Sequence, residues 1–315
     1  MCPKMRRAEY YMMSWTKSKD RVETVGLVGC GRMGLCMVEA LIKGRFTVVA
    51  FDTYPEAVRR AVSRGAEAAA DPEDLARKAD VVLMSLPGPL QLEEVLFSGN
   101  GIIHGLGKGK VVVDTSTVDP NTTRENARRL EEATGSAYLD CPVLGRPSAV
   151  GKWMLPTGGN REALEWAKPA LLTFAANAIP VGGHGAGNAL KLLNQMMFSC
   201  INAISSEVMA IASHVGVDPR VFYETVASSS AATVSGLFRE VGRCIINEGF
   251  NDPAFTVDLL IKDAKLALQM AKEADAPSVI AGTVQLYNEM AHAKGLGAQD
   301  SSAVYKVFAN LFNKE

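Results

Sequence analysis

A lysine and an asparagine three positions apart, Lys191 and Asn194, are the residues whose types and spacing most suggest chemistry. They follow the glycine-rich run 182–187 and fall in the first turns of a predicted apolar helix. Side chains three positions apart share one helical face, so both can point into the same cleft. A lysine near the start of a helix opposes the helix dipole and gains no stability from it. This misfit favours a chemical role such as proton exchange; the alternative is a solvated lysine on an amphipathic helix.

Residues nearer the start of the chain have the spacing of a dinucleotide-binding unit. A valine-rich run at 22–28 predicts a buried parallel strand, and it leads directly into a G-x-G-x-x-G sequence. A helical pattern, a second strand at 46–51 and a terminal acid complete the unit. Glycines in such a turn allow the tight bend, the approach of the pyrophosphate and close helix packing, while the helix N-terminus faces the phosphates. A purely structural glycine turn is the alternative. The predicted cofactor-binding residues here are Gly29, Gly31, Arg32, Met33, Gly34 and Asp52.

Asp52 stands at the end of the second strand and decides the choice of dinucleotide. A carboxylate there accepts hydrogen bonds from the ribose hydroxyls and repels a 2′-phosphate. No arginine follows it directly, because the next residues are Thr53, Tyr54 and Pro55. The unit therefore predicts NAD rather than NADP as the cofactor.

Two further strand patterns bring more residues to the carboxyl edge of the predicted parallel sheet, where ligands bind in such folds. The strands at 81–86 and 111–113 lead to Leu86, Pro87 and Thr117, which we expect to line the crevice. A hydroxyl that caps the following helix is the alternative for Thr117.

Arg146 lies in a loop that follows another predicted strand, at 137–140. Two prolines, Pro142 and Pro147, and Gly145 make this loop rigid. The planar guanidinium could bind a carboxylate, a phosphate or a sulfonate. An ordinary surface charge is the alternative.

The second half of the chain has only long helical patterns. The sequence thus predicts an α/β Rossmann domain with a doubly wound parallel sheet at 22–183, followed by an all-helical domain at 184–315. Lys262 and Asp263 lie among leucines in one of these helices. That lysine is either a paired structural ion or a residue that reaches a ligand.

Composition and charge exclude several classes of protein. The chain has 315 residues and a formal net charge of −1 without a basic tract, so nucleic acid is not expected as a partner. Its six cysteines and four histidines have no metal-ligand spacing, and they indicate a reducing, cytoplasmic setting. The most apolar run, 196–215, contains Glu207 and several serines, so a buried helix rather than a membrane span is expected. Residues 1–21 lack a secretory signal and are expected to form a flexible extension.

Together these motifs resemble the β-hydroxyacid dehydrogenase family, which includes 3-hydroxyisobutyrate dehydrogenases, tartronate semialdehyde reductases and sulfolactaldehyde reductases. Four separated segments carry the resemblance: the glycine turn at 29–34, Asp140-Cys-Pro-Val143, the stretch 183–194, and Lys262-Asp-Ala-Lys-Leu-Ala267. The segment 114–120 is also similar to the family's nicotinamide-side segment.

The resemblance implies an activity and a role for several of these residues. It implies hydride transfer between nicotinamide and a small anionic 3-hydroxy acid or its semialdehyde, with Lys191 as general acid/base and Asn194 as a substrate ligand. It also implies that the helical domain forms a homodimer or homotetramer. The residues implied near the cofactor are Thr117, Lys262, Leu86 and Pro87.

The loop after Val143 departs from the family pattern. Many members have Ser-Gly-Gly where this chain has Leu144, Gly145 and Arg146, which together with Thr117 are the further predicted substrate-binding residues. The stretch is similar to a Gly-Arg-Thr-Ser-Ala stretch of sulfolactaldehyde reductases, whose arginine holds a sulfonate. Reduction of a sulfonate-bearing aldehyde is therefore an alternative. Imine reduction and non-catalytic dinucleotide binding are two more, and the presence of the lysine at 191 disfavours both.

Overall fold

The computed structural model describes residues 15–312, which form two compact units. The first, here called the α/β unit, comprises the described chain through Ser116 together with Thr122–Gly187. The second, the helical unit, comprises the short segment Thr117–Asn121 and the chain from Asn188 onward. The predicted combination of a Rossmann domain and a helical domain is confirmed.

The α/β unit is built on one sheet of eight strands. In chain order these are β1 (Thr24–Val28), β2 (Thr47–Phe51), β3 (Glu67–Ala68), β4 (Val81–Met84), β5 (Val111–Asp114), β6 (Ala137–Asp140), β7 (Trp153–Gly159) and β8 (Ala175–Gly182). Their order across the sheet is β3-β2-β1-β4-β5-β6-β7-β8. All pairs from β3 to β6 are parallel. The strand order reverses between β1 and β4, and ligands bind at the carboxyl ends of strands at such a switch point.

The sheet is not parallel throughout, which corrects the predicted doubly wound parallel sheet for its last two strands. Strand β7 pairs antiparallel with β6, and β8 pairs parallel with β7. The connection from β6 to β7 contains a short 3₁₀ helix, Pro147–Ala149, rather than a crossover α-helix. A parallel pair needs a long crossover, so the chain turns back instead.

Helices of the α/β unit cover the sheet, whose valine-rich strands are buried as expected of strands enclosed on both faces. Proline at the first position of several of these helices supplies a φ suited to starting a helix. The helices are α1 (Arg32–Lys43), α2 (Pro55–Val62), α3 (Pro72–Lys78), α4 (Pro89–Phe97), α5 (Ile102–Gly105), α6 (Pro120–Thr134) and α7 (Arg161–Leu171).

The helical unit has a core of its own, formed by apolar residues of several helices. The last helical segment begins as a 3₁₀ helix, Ser301–Val304, whose first turn is capped by the side chain of Asp300. The α-helices are α8 (Ala186–His214), α9 (Pro219–Ser228), α10 (Gly236–Ile246), α11 (Val257–Glu273), α12 (Val279–Ala293) and α13 (Tyr305–Phe312).

Helix α8 is long and apolar enough to cross a membrane by length and composition alone. One of its faces, however, carries Gln195, Ser199, Asn202 and Ser206, all buried and spaced so that they share one side of the helix. The amide of Asn288 donates to Ser199 Oγ at 3.0 Å. This buried polar stripe packs inside the helical unit, as in a core helix of a globular domain.

Residues 1–21 were expected to form a flexible extension, and residues 1–14 lie outside the described part of the chain. From Trp15 onward the segment packs on the α/β unit. The Trp15 indole N–H donates to the Lys110 carbonyl at 3.2 Å, and its ring centroid lies 5.6 Å from that of Trp166. Residues 15–21 are therefore held against the domain, because the free energy gained by burying the indole exceeds the conformational entropy lost by a short segment.

Candidate active site

Two glycines of the G-x-G-x-x-G turn are required by the packing of the α/β unit itself. Gly29 has a φ of +96°, a region that favours glycine, and a Cβ there would lie 2.3 Å from the Ser85 carbonyl oxygen. A Cβ on Gly34 would lie 1.9 Å from the Gly29 carbonyl oxygen. Strand β1, the turn and helix α1 can approach so closely only without these side chains.

Gly31 has no such internal reason to be glycine. Its φ of −72° suits any residue, and an added Cβ would meet no described atom within 4 Å. It is the N-cap residue of α1, and a glycine has no side chain that could cap this helix. N–H groups at a helix start bind anions, so a glycine backbone in front of them fits a pyrophosphate. The predicted cofactor residues Arg32 and Met33 form the first turn of this helix, the former exposed and the latter half-buried.

Asp52 is fixed beside this turn by backbone hydrogen bonds. Its Oδ2 accepts the Cys30 N–H at 2.7 Å, and its Oδ1 accepts the Tyr54 N–H at 2.9 Å. A carboxylate oxygen has two lone pairs, so both oxygens can still accept from ribose hydroxyls. Burial and the Asp52 charge raise the pKa of the Cys30 thiol to about 12, so this cysteine stays neutral. These residues fit the adenosine side of a dinucleotide.

Leu86 and Pro87 follow β4, and the structure places the first of them against the glycine turn. A Cβ on Gly29 would lie 3.2 Å from Leu86 Cδ2. The Leu86 N–H donates to Ser116 Oγ at 3.0 Å, which ties the loops after β4 and β5 together.

The loop after β5 is held by a buried carboxylate that sequence reasoning missed. Asp114 accepts the Ser116 N–H at 2.9 Å and the Tyr138 hydroxyl at 2.8 Å. Burial raises the pKa of Asp114 to about 6. Its position at the end of a strand, directly before the predicted site segment, is the signal that could have identified it.

The loop that carries Arg146 is fixed by strand β7. Leu144 and Met154 exchange two backbone hydrogen bonds, of 2.9 and 3.2 Å. The Trp153 indole N–H donates to the Arg146 carbonyl at 2.7 Å, and a Cβ on Gly145 would lie 2.1 Å from the Trp153 ring. The backbone of the loop is therefore rigid at Arg146, whose side chain is half-buried.

The glycine-rich run before α8 is anchored in the α/β unit. His184 Nε2 lies 3.0 Å from the Tyr138 carbonyl oxygen and 3.2 Å from Glu131 Oε1. Burial opposes the charged imidazole, but the Glu131 and Asp140 carboxylates outweigh it and raise the pKa of His184. The Gly185 N–H donates to Asp140 Oδ1 at 2.9 Å. The start of α8 is thus held by charged side chains rather than by apolar packing alone.

Within the helical unit, Lys262 holds the segment Thr117–Asn121. Its Nζ donates to the Thr117 carbonyl at 3.0 Å and lies 2.9 Å from Asp263 Oδ1. The Val118 N–H donates to Asn188 Oδ1 at 3.2 Å. The structure therefore shows Lys262 paired with Asp263, and the same ammonium also fixes the backbone of a predicted site residue.

Lys191 lies on α8 between two buried residues that bond within the helical unit. Asn188, three positions before it, contacts Val118, while Gln195, four positions after it, donates from Nε2 to Asp263 Oδ2 at 2.6 Å. Residues three or four apart share a helical face, so Lys191, which is half-buried, lies on the side of α8 that meets these groups. Asn194 is exposed, and its amide donates to Gln195 Oε1 at 3.3 Å.

Each unit therefore gathers one group of predicted site residues. The α/β unit holds the glycine turn, Asp52, Leu86, Pro87 and the loop 144–146, whereas the helical unit holds Lys191, Asn194, Thr117 and Lys262. Gln195 and Asp263 were missed as site residues, although each is next to a predicted one in the chain. Between residues 15 and 312 no group of three or more His, Cys, Asp or Glu side chains is placed to hold a metal.

Two family models match successive parts of the chain. Residues 24–183 match the NAD binding domain of 6-phosphogluconate dehydrogenase, and residues 185–308 match the NAD-binding domain of NADP-dependent 3-hydroxyisobutyrate dehydrogenase.

Relatives extend this likeness over nearly the whole chain. L-threonate dehydrogenase of Cupriavidus necator is 32% identical over 290 residues, which cover 91% of this chain and 96% of that protein. 3-Sulfolactaldehyde reductase of Escherichia coli is 32% identical over 283 residues, covering 89% and 94%. The crystal structure of 3-hydroxyisobutyrate dehydrogenase from Salmonella typhimurium superposes with a TM-score of 0.84 at 28% identity, covering 91% and 100%. Since the matches span both units and agree with the site motifs, this chain belongs to the β-hydroxyacid dehydrogenase family of NAD(P)-dependent oxidoreductases.

Proposed function

We propose that this enzyme uses NAD to interconvert a small anionic 3-hydroxy acid and its semialdehyde, with Lys191 as the general acid/base. The observation that carries the proposal is the position of Lys191 on α8, between Asn188 and Gln195. Asn188 bonds to Val118, the residue after Thr117, and Gln195 bonds to Asp263, the residue after Lys262. Lys262 in turn bonds to the Thr117 carbonyl. In the α/β unit, Gly31 and the fixed Asp52 carboxylate are the residues proposed to bind the dinucleotide. Asn194 lies on the same helix as the lysine and is proposed to bind the substrate.

Lys191 exchanges the proton that accompanies hydride transfer. The bound nicotinamide supplies the hydride or takes it up. In the reductive direction the Lys191 ammonium protonates the oxygen of the former carbonyl, and its charge stabilises the negative charge that develops there. In the oxidative direction the neutral amine takes the hydroxyl proton while the carbinol C–H bond breaks and the C=O bond forms. Asn194, three positions after Lys191 on α8, is proposed to bind the substrate so that the reacting carbon is correctly placed.

NAD is proposed as the preferred dinucleotide because the Asp52 carboxylate would repel a 2′-phosphate. Replacing Asp52 by alanine is expected to raise the ratio of kcat/KM for NADP to kcat/KM for NAD by about tenfold or more, about 1.4 kcal/mol of discrimination. The measurement is initial rates with both dinucleotides. Glu56→Ala, which removes an exposed carboxylate in the next helix, should leave the ratio unchanged. A wild-type enzyme that already prefers NADP would contradict this preference.

Arg146 is proposed to bind the anionic group of the substrate, since its backbone is fixed by Trp153 and its guanidinium is a planar donor fork. Arg146→Ala is expected to raise KM for the hydroxy acid by about tenfold or more, as when a charge-assisted hydrogen bond is lost. The KM for NAD should not change. Rates are measured over a panel of 3-hydroxy compounds that differ only in a carboxylate, sulfonate or phosphate group. Arg161→Ala, at an exposed arginine of α7, is the matched control.

The panel also decides between the two candidate substrate classes. A sulfonate-bearing aldehyde is the second candidate, favoured by the position of Arg146 in a rigid loop that lacks the usual serine. A preference for sulfonate that disappears in Arg146→Ala supports that second candidate. If no anionic substrate depends on Arg146, the assignment of this residue fails.

We also propose that the chain assembles as a homodimer or homotetramer through the helical unit. Large apolar side chains are exposed along α8, at Leu193, Met197 and Ile204, and on α12, at Val279 and Ile280. Large exposed apolar side chains on neighbouring turns of a helix favour a protein interface. Nucleic acid and membranes are not proposed as partners.

A cytoplasmic location is proposed from the cysteines. All five cysteines in the described chain are free thiols, and none is joined in a disulfide. Free thiols are typical of a reducing compartment.

A further inference from the structure

Gln195 is almost completely buried and makes one short, well-defined contact. Its side chain is 5% exposed, and its Nε2 donates to Asp263 Oδ2 at 2.6 Å. Asp263, on α11, is itself 3% exposed. A buried carboxylate must have a hydrogen-bond donor or a cation at each oxygen, because an unpaired charge in the interior is strongly unfavourable.

The second oxygen of Asp263 accepts no hydrogen bond from the described residues, but it forms an ion pair with Lys262. The Lys262 ammonium lies 2.9 Å from Asp263 Oδ1 and donates to the Thr117 carbonyl at 3.0 Å. A continuous chain of contacts therefore runs from Gln195 on α8, through Asp263 and Lys262 on α11, to the backbone of Thr117. One turn before Gln195 on the same helix is Lys191.

We propose that Gln195 is a positioning residue for the reaction assigned above: through Asp263 and Lys262 it fixes Thr117 relative to the turn of α8 that carries Lys191. This inference rests on the proposed function of Lys191. Gln195 acts through its neighbours and does not itself exchange a proton with the substrate. Its neutral amide donates a hydrogen bond without adding a charge that would compete with Lys262 for Asp263.

The charged groups around this chain of contacts are few. On α11 they are Lys262 and Lys265, and the latter lies 3.2 Å from Glu289 of α12. On α8 the nearest charged residue is Lys191. The α12 residues that bond along the buried polar stripe, Gln285 and Asn288, are neutral. A second carboxylate placed at position 195 would therefore face the Asp263 carboxylate, whose other oxygen is paired with Lys262.

The test compares Gln195→Glu with Gln195→Met over a range of pH. In Gln195→Glu, two carboxyl groups would share the 2.6 Å contact, and the charge of Asp263 would raise the pKa of the introduced group, which loses its proton only as the pH rises further. Once protonated, the introduced carboxyl group donates its O–H to Asp263 and restores the contact, whereas its ionised form repels Asp263. Methionine has a similar length but no donor, so its effect should not depend on pH.

The expected kcat of Gln195→Met is about tenfold or more below wild type at every pH, the scale of a lost positioning contact. Gln195→Glu should lie below Gln195→Met at alkaline pH and recover toward wild type as the acidity rises and the introduced carboxyl regains its proton. Binding of NADH, followed by fluorescence, should change far less than kcat, because the glycine turn and Asp52 are untouched. Gln269→Met, which makes the same change at an exposed position of α11, is the control.

Two results would overturn the inference: a Gln195→Met variant with wild-type kcat, or a Gln195→Glu profile parallel to that of the wild type. If Gln195→Glu does not fold, the methionine variant still decides the question. Failure of the proposed function is seen separately, as full turnover by Lys191→Ala.

Discussion

Turnover by Lys191→Ala is expected to fall by two or more orders of magnitude, while NADH binds almost as tightly as to the wild type. The variant lacks the group that is proposed to exchange the proton. A general acid or base typically contributes about 10²- to 10⁴-fold to the rate. Dinucleotide binding depends on the glycine turn and Asp52 of the α/β unit, which the substitution does not touch. Steady-state rates give the first quantity, and quenching or enhancement of NADH fluorescence gives the second.

Lys272→Ala is the matched control, since it removes a lysine from the last turn of α11. It should retain wild-type turnover. Lys191→Arg keeps the positive charge but gives up its proton far less readily, so it should remain much closer to the alanine variant than to wild type. Full turnover by Lys191→Ala would remove this lysine from the mechanism.

Gly31→Val is expected to lose affinity for NADH, whereas Gly34→Val is expected to lose folding stability. A Cβ at position 31 meets no described atom within 4 Å, so Gly31→Val should unfold at the wild-type denaturant concentration. It should nevertheless bind NADH about a hundredfold more weakly, a loss of about 2.7 kcal/mol. At position 34 the Cβ collides with the Gly29 carbonyl oxygen, so that variant should be destabilised by about 1–3 kcal/mol or more. Chemical denaturation and NADH titration separate the two effects.

Gly99→Val provides the control for the first of these variants. A Cβ on Gly99 also meets no described atom within 4 Å, but this glycine lies in the turn after α4. It should bind NADH normally. If Gly31→Val also kept wild-type affinity, the pyrophosphate could not lie against the start of α1.

The parts of the site that depend on local sequence were predictable. Strand, glycine turn and helix follow one another within a single unit, and each carries its own periodicity, so the turn at 29–34 and the strand end at Asp52 could be placed from spacing alone. The helix that carries Lys191 was predicted for the same reason.

Contacts between distant segments were not predictable. A buried strand has the same apolar pattern in either direction, so nothing in Trp153–Gly159 indicated that β7 runs antiparallel to β6. The pairing of Lys262 with Asp263 and Thr117 was left open because the sequence does not show which carbonyl a lysine will meet. Gln195 was overlooked because an amide in an apolar helix gives no periodic signal of its partner.

The hydrogen bond from Lys262 to Thr117 joins residues 145 positions apart. During synthesis the ribosome must therefore complete α11 before the loop after β5 can take its final conformation, long after the dinucleotide-binding strands have emerged. Because long-range contacts of this kind form slowly, folding of the nucleotide-binding half can precede catalytic competence by an appreciable interval. A nascent chain arrested before residue 262 would lack the ammonium that secures this loop, even with every strand of the sheet already made.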